Sequence, residues 1–231
     1  GVNKIVKKQK IRHFNYTYLM KSDVAVFDML TSTFDEVNNA IQVLKTQDYE
    51  EEKTLILISS VVTWVNTPPN RKPVRQVEES TDTESEVEGR EENVENSGFD
   101  ESGEMIYPFE ESDLNKRIPS PKYQPLKILE NKALAAMKNK ENLKVYVLCS
   151  GVLYGNGEEA FYPHFKQAWL QKLPSLPIIG SGENVIPTIH VKDLSNMTKR
   201  ISELKPSHHY VFAIDKSLNQ TQNELIETIS K

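Results

Sequence analysis

Glycine is missing from residues 2–88, and that absence removes a class of function before any motif is sought. The nine glycines stand at 1, 89, 98, 103, 151, 155, 157, 180 and 182. A glycine-rich turn that seats a pyrophosphate on a helix N-terminus therefore cannot precede the first strand-like run at residues 23–30. No G-x-x-x-x-G-K-[ST] phosphate loop occurs anywhere, so phosphoryl transfer by that device is absent from these residues. Cysteine is almost absent too. Cys149 alone excludes an internal disulfide and fits a reducing, cytoplasmic compartment. No apolar run reaches the ~18 residues that read as a membrane span, so no membrane partner is expected. The opening GVNKIVKKQK has lysines but no apolar stretch of the signal-peptide kind. A first residue Gly1 rather than methionine reads as a trimmed chain. His190, His208 and His209 have no companions at metal-ligand spacing, so no metal site is expected.

The charge is unevenly placed. Net charge is −5 over 231 residues, yet Glu78 to Asp113 holds fifteen acidic residues against one basic, Arg90. The remainder keeps 27 basic and 18 acidic residues, a mildly basic body around an acidic insertion. That excess is too small and scattered to specify nucleic acid.

Periodicity divides the chain. DVAVFDML (23–30) is a strand-length apolar run. It is followed by a helical pattern through Phe34, Val37, Ile41 and Leu44, with Thr33 and Glu36 at capping-box positions. TLILISSVVTW reads as one strand buried on both faces. From about Pro68 to Pro119 the pattern gives way to Pro, Glu, Ser, Asp and Gly, a disordered or looped insertion. A helix then carries Leu126, Leu129, Ala133 and Ala136 on one face, before a second buried strand, LKVYVLCSGVLYG. FYPHFKQAWLQK is helical, Asp193 is placed to cap a helix through LSNMTKRISEL, and HHYVFAID is a last strand. Thr221 and Glu224 form another capping box. Trp64 and Trp169 read as core or rim aromatics, and His190 as a structural histidine. The expected fold is α/β with a mostly parallel sheet covered on both faces. Residues 1–67 supply its front part, 68–119 the insertion, and 120–231 the remainder with a small C-terminal lobe.

Tyr123 and Lys127 make a Y-x-x-x-K pair, and Ser60 stands at a strand end. On a helix that spacing puts both side chains on one face, where the ammonium lowers the tyrosine pKa for acid–base work. Nine tyrosines and 22 lysines give such a pair by chance, so its register matters more than its existence. Lys127 lies one helix-length before Leu143–Leu148. Pro125 between the pair fits only a first helical turn and places Tyr123 at the helix boundary.

These stretches resemble the extended short-chain dehydrogenase/reductase family, the nucleotide-sugar epimerase group. LILISSVVTW is similar to its S-S-x-x-x-Y strand end, with Trp64 in the tyrosine's place. VYVLCSGVLYGNG resembles its L-R-P-x-x-V-Y-G strand and IHVKDL its I-H-V-x-D-L segment. The resemblance implies a Rossmann-like sheet whose first strand and glycine-rich loop are missing, an NAD(P) cofactor, and Ser60, Tyr123 and Lys127 as a triad. The departures fall on the ligand contacts. Cys149-Ser150 replaces Arg-Pro, Ile186-Pro187 replaces an Arg-Asp whose arginine grips a pyrophosphate, and FDML replaces H-L-A-A. An isoleucine cannot supply bidentate guanidinium contacts. SSVVTW, HFKQAWLQKLPSLPIIGSG and NVIPTIHVKDL resemble more closely a family of motile-cilium proteins. In that family a degenerate dehydrogenase-type domain accompanies a P-loop nucleotide kinase and a Dpy-30-like dimerisation segment.

The expectation is a non-catalytic interaction module of a ciliary axonemal protein, with Ser60, Tyr123 and Lys127 vestigial and no cofactor bound. Its partners are axonemal proteins, one of which, or the rest of the parent protein, covers the sheet edge left by the missing strand. The alternatives are a live NAD(P)-dependent epimerase, dehydratase or reductase, and a nucleotide-sensing domain that binds without chemistry.

Overall fold

The computed structural model describes residues 16–72, 98–99, 105–157, 159–171, 174–216 and 220–231. Its elements run α1 (Tyr16–Lys21), β1 (Val24–Asp28), α2 (Phe34–Thr46), β2 (Lys53–Ser60), β3 (Asn70–Lys72), β4 (Gly98–Phe99) and β5 (Met105–Tyr107). Then follow α3 (Gln124–Lys138), β6 (Leu143–Ser150), β7 (Val152–Tyr154), α4 (Tyr162–Leu170), β8 (Thr188–His190), α5 (Val191–Leu204), β9 (Tyr210–Ala213) and α6 (Gln222–Ser230). The main sheet has the order β1-β2-β6-β9, every neighbour parallel. β3-β5-β4 and β7-β8 form two small satellite sheets.

β2 and β6 are central because they are apolar on both faces, and seven residues of each are buried. Leu55, Leu57, Val145, Val147 and Cys149 point toward α2 and α3, meeting Val37, Ile41, Leu129 and Ala133. The alternate residues Ile56, Tyr146 and Leu148 meet Leu194 and Ile201 of α5. The expected α/β fold, a parallel sheet with helices on both faces, is the one observed.

The two sheet edges differ. On β9 the Phe212 amide donates to Glu111 Oε1 at 3.1 Å, so a loop side chain occupies that edge. β1 is the other edge, and Val24 and Val26 remain 38% and 46% exposed on the face opposite α2. The strand order also rises monotonically along the chain. A doubly wound sheet binds its ligand where that order reverses. Among the described residues the main sheet contains no reversal.

Cap chemistry explains where sequence periodicity misplaces element ends. TLILISSVVTW is not one strand: it stops at Ser60 and continues as a 3-10 turn, Val61–Trp64, because Ser60 Oγ accepts from the Val62 amide. LKVYVLCSGVLYG breaks at Gly151, where a Cβ would approach the Pro187 carbonyl oxygen to 2.7 Å. α5 is capped by His190, whose Nδ1 accepts from the Lys192 amide, rather than by Asp193, which lies in the first turn. The capping boxes at Thr33–Glu36 and Thr221–Glu224 form as expected. Most of the acidic insertion lies outside the described residues. Its described ends are built: β3 pairs with β5, and a 3-10 turn at Glu111–Lys116 is closed by Asp113 accepting from the Glu110 amide.

Candidate functional site

In a parallel sheet, ligands bind beyond the carboxyl ends of the strands, where backbone dipoles and loops converge. Here those ends are Asp28, Ser60, Ser150 and Ala213. At the first, FDML folds onto itself: Asp28 accepts from the Leu30 amide at 3.0 Å and from Thr31 Oγ1 at 2.9 Å.

Ser60 is nearly buried, and both its oxygens serve the chain. Its Oγ caps Val62, and its carbonyl accepts from Thr63 Oγ1 at 3.0 Å. Trp64 turns inward to 7% exposure, donates Nε1–H to the Tyr210 hydroxyl at 2.8 Å, and packs against Phe109 and Phe212 at 5.1 Å each. The expectation of a core or rim aromatic is met at Trp64.

Tyr123 is the N-cap residue of α3, with Pro125 in the first turn, as the Y-x-P-x-K spacing requires. Lys122 Nζ stands 5.1 Å from the centre of its ring. Lys127 Nζ donates to the Arg117 carbonyl at 2.7 Å. Among the described residues no hydrogen bond joins Ser60, Tyr123 and Lys127 to one another.

Beneath Lys127 lies a charged network that the sequence reading did not name. Arg117 and Glu130 are 1% and 0% exposed, with Nη2 and Oε2 2.9 Å apart. Arg117 also donates to Asn131 Oδ1 at 2.8 Å and to the Leu114 carbonyl, and Ser59 Oγ donates to Glu130 Oε1. The Arg117–Glu130 approach is an ion pair without hydrogen-bond alignment. Glu130 Oε2 and Arg117 Nε consequently have no hydrogen-bond partner among the described residues. Burial pushes the Glu130 carboxyl up, and Arg117 and Ser59 draw it back. The signal for this was present: Glu130 falls four residues after Leu126 and three before Ala133, inside the apolar stripe of α3. A carboxylate there demands a partner.

Cys149 is fully buried, and desolvation pushes its thiol up to about 12. It is a packed side chain and not a nucleophile. Ser150 Oγ donates to the Ser59 carbonyl at 2.9 Å. Ile186 and Pro187 serve main-chain pairing, since the Ile186 amide donates to the Gln220 carbonyl and the Pro187 carbonyl accepts from Val152. His190 packs edge-on against Tyr154 at 5.2 Å, and His209 Nδ1 lies 2.9 Å from the Val145 carbonyl. Among the described residues no group of His, Cys, Asp and Glu is placed to hold a metal, and no helix is long and apolar enough to cross a membrane. A depression of about 480 Å³, lined by Asp48, Tyr49, Glu50, Lys140, Glu141 and Asn142, opens at the amino ends of β2 and β6. That is the end of a parallel sheet where ligands do not bind.

No family model matches the chain. It is 28% identical to adenylate kinase 7 of Mus musculus over 217 residues, covering 92% of this chain and 30% of the mouse protein. Against adenylate kinase 7 of Macaca fascicularis the identity is 36% over 102 residues, 44% of this chain and 19% of that protein. The chain thus spans less than a third of the curated relatives it matches. Among solved structures, dTDP-glucose 4,6-dehydratase from Bacillus anthracis str. Ames, in complex with NAD, superposes with a TM-score of 0.58 at 16% identity. That match covers 92% of this chain and 58% of the dehydratase. UDP-N-acetylglucosamine 4-epimerase from Bacillus cereus gives 0.58 at 14% identity, over 93% and 63%. At such identities these structures establish the fold alone. The chain is a homologue of adenylate kinase 7 on a Rossmann-like α/β frame similar to that of the extended short-chain epimerases and dehydratases.

Proposed function

We propose that this chain is a non-catalytic interaction module of an adenylate kinase 7-like protein of the ciliary axoneme. Any phosphoryl transfer by the parent protein would reside outside these residues, which hold no phosphate loop. The observation that carries the proposal is the tie from Lys127 Nζ to the Arg117 carbonyl, which engages the lysine in holding a loop. Ser60 acting as a cap and Ile186-Pro187 pairing through the main chain point the same way. The strand order, which contains no reversal, supports it independently.

The test is a thermal-shift titration of the parent protein, and of this chain, with NAD and NADP. We expect no shift at millimolar cofactor. A working site at a hundredfold excess over Kd would add about 2.7 kcal/mol, roughly 5–10 °C for a domain of this size. A saturable rise of that order overturns the proposal. Turnover lost in Tyr123→Phe would then assign an NAD(P)-dependent enzyme, and binding without turnover a nucleotide sensor. The exposed Val24 and Val26 support a second element of the reading, that a strand from the rest of the parent protein or from a neighbour covers β1. Protection of the β1 amides from hydrogen exchange in the assembled protein, but not in the isolated chain, is the expected result.

A further inference from the structure

α4 is built inside out. None of its nine residues is buried, and none of its side chains joins either core cluster. Tyr162, Phe165 and Trp169 stand at i, i+3 and i+7, one stripe of the helix, and are 53%, 48% and 87% exposed. The inner side carries His164 and Gln167, whose Nδ1 and Oε1 atoms are buried without a hydrogen-bond partner among the described residues. A surface helix of a globular domain has the opposite arrangement. The expectation that Trp169 is a core or rim residue fails on the core side: it projects almost wholly into solvent.

The helix is nonetheless firmly set. Phe161, its N-cap residue, is 9% exposed, Pro163 occupies the first turn, and Gln171 ends it in the left-handed region at φ 49°. α4 packs on α6, and Ile179, 81% exposed, precedes the turn that leads to α6. A fixed helix presenting three aromatic side chains is the arrangement by which helices dock into grooves, and Tyr and Trp dominate such contacts energetically. Contiguous exposed apolar surface of this kind marks an interaction site.

Charge indicates the occupant. From Ala160 to Gly182 the chain has Lys166, Lys172 and His164 and no Asp or Glu, although its net charge is −5. Lys166 Nζ lies 5.8 Å from the Tyr162 ring centre, on the stripe itself. We infer that α4 inserts Tyr162, Phe165 and Trp169 into an apolar, carboxylate-rimmed groove on a protein partner. This rests on the interaction-module reading and names its surface.

The experiment places p-benzoylphenylalanine at Trp169 of the full parent protein in cells that assemble it, with Lys199 on α5 as the control position. Adducts are mapped by mass spectrometry. The expected result is an adduct with another protein, at least tenfold above the control, at an apolar segment flanked by Asp or Glu. The purified pair should weaken at least tenfold in Phe165→Ala/Trp169→Ala, with an unchanged melting temperature because both side chains lie outside the core. Lys166→Glu should weaken it as well, and salt should weaken the parent pair. An adduct with a second copy, with the parent protein's own remaining residues or with a basic surface overturns the inference, as does no adduct above the control. The nucleotide titration is independent: cofactor binding would sink the non-catalytic reading while leaving an α4 adduct standing. A silent α4 beside a silent cofactor titration would sink only this surface.

Discussion

Replacing Arg117 by methionine tests whether the buried ion pair is a structural strut. The change keeps much of the side-chain length but removes the guanidinium that faces Glu130 at 2.9 Å and bonds Asn131 and the Leu114 carbonyl. Glu130, at 0% exposure, is left with Ser59 and the more distant Lys127. Removing one partner of such a pair costs about 3–5 kcal/mol, because the other charge stays desolvated. Against a total stability of ~5–15 kcal/mol that is a large fraction, and it lowers Tm by about 10 °C. Adding Glu130→Gln should recover most of the loss. The amide oxygen still accepts from Ser59, and no unpaired charge remains. The loss should also depend on pH. Burial raises the Glu130 carboxyl above its ordinary value of 4.5. A raised acid contributes stability that is present below its unfolded pKa and is lost as pH rises through the folded one. Without Arg117 to oppose that rise, the variant is closest to wild type near pH 5 and falls furthest behind near pH 8. Urea titrations at both pH values, with unchanged m, measure it. A single-variant cost below about 1 kcal/mol, or a double variant costing the sum of the two singles, would refute the reasoning.

Cys149 should resist iodoacetamide in the native protein at pH 8 and react fully in urea, since burial holds its thiol near 12. The same shift makes its contribution full below the ordinary value of 9.0 and lost as pH climbs toward 12, on the order of 4 kcal/mol; a Cys149→Ala variant with an equally steep alkaline loss of stability would contradict it. Thr33→Ala removes both halves of a capping box at the start of α2 and should cost about 1 kcal/mol, read as a urea midpoint shift, whereas Thr33→Ser should cost only a few tenths.

What was legible in the sequence was whatever depends on neighbours along the chain. The α2 box, the α3 stripe and the position of Tyr123 at the mouth of α3 all follow from spacings of three or four residues and from one proline. What was not legible depends on partners far away. Nothing near Arg117 in sequence says that Glu130, thirteen residues on, and Ser59 will close around it. The break after Ser60 was missed because an apolar, β-branched run continues through Val62, and only the serine's bond to Val62 reveals the turn. Trp169 was misjudged toward the core because aromatic content predicts burial only when another element comes to cover it, and α6 covers the polar side of α4 instead.

Fold and chemistry part company at Lys127 for a physical reason. A catalytic lysine must keep its ammonium directed at a cofactor, whereas here the same atom satisfies the Arg117 carbonyl. That bond fixes the backbone of the residue whose guanidinium neutralises Glu130, and Glu130 in turn anchors Ser59 on the central strand. Lys127, Arg117, Glu130 and Ser59 therefore form one chain of contacts from the loop before α3 to the middle of the sheet. A frame freed from binding nucleotide can keep such a lysine because its charge still works for the fold. The persistence of a Y-x-x-x-K spacing is accordingly evidence of a shared frame and carries no inference about turnover.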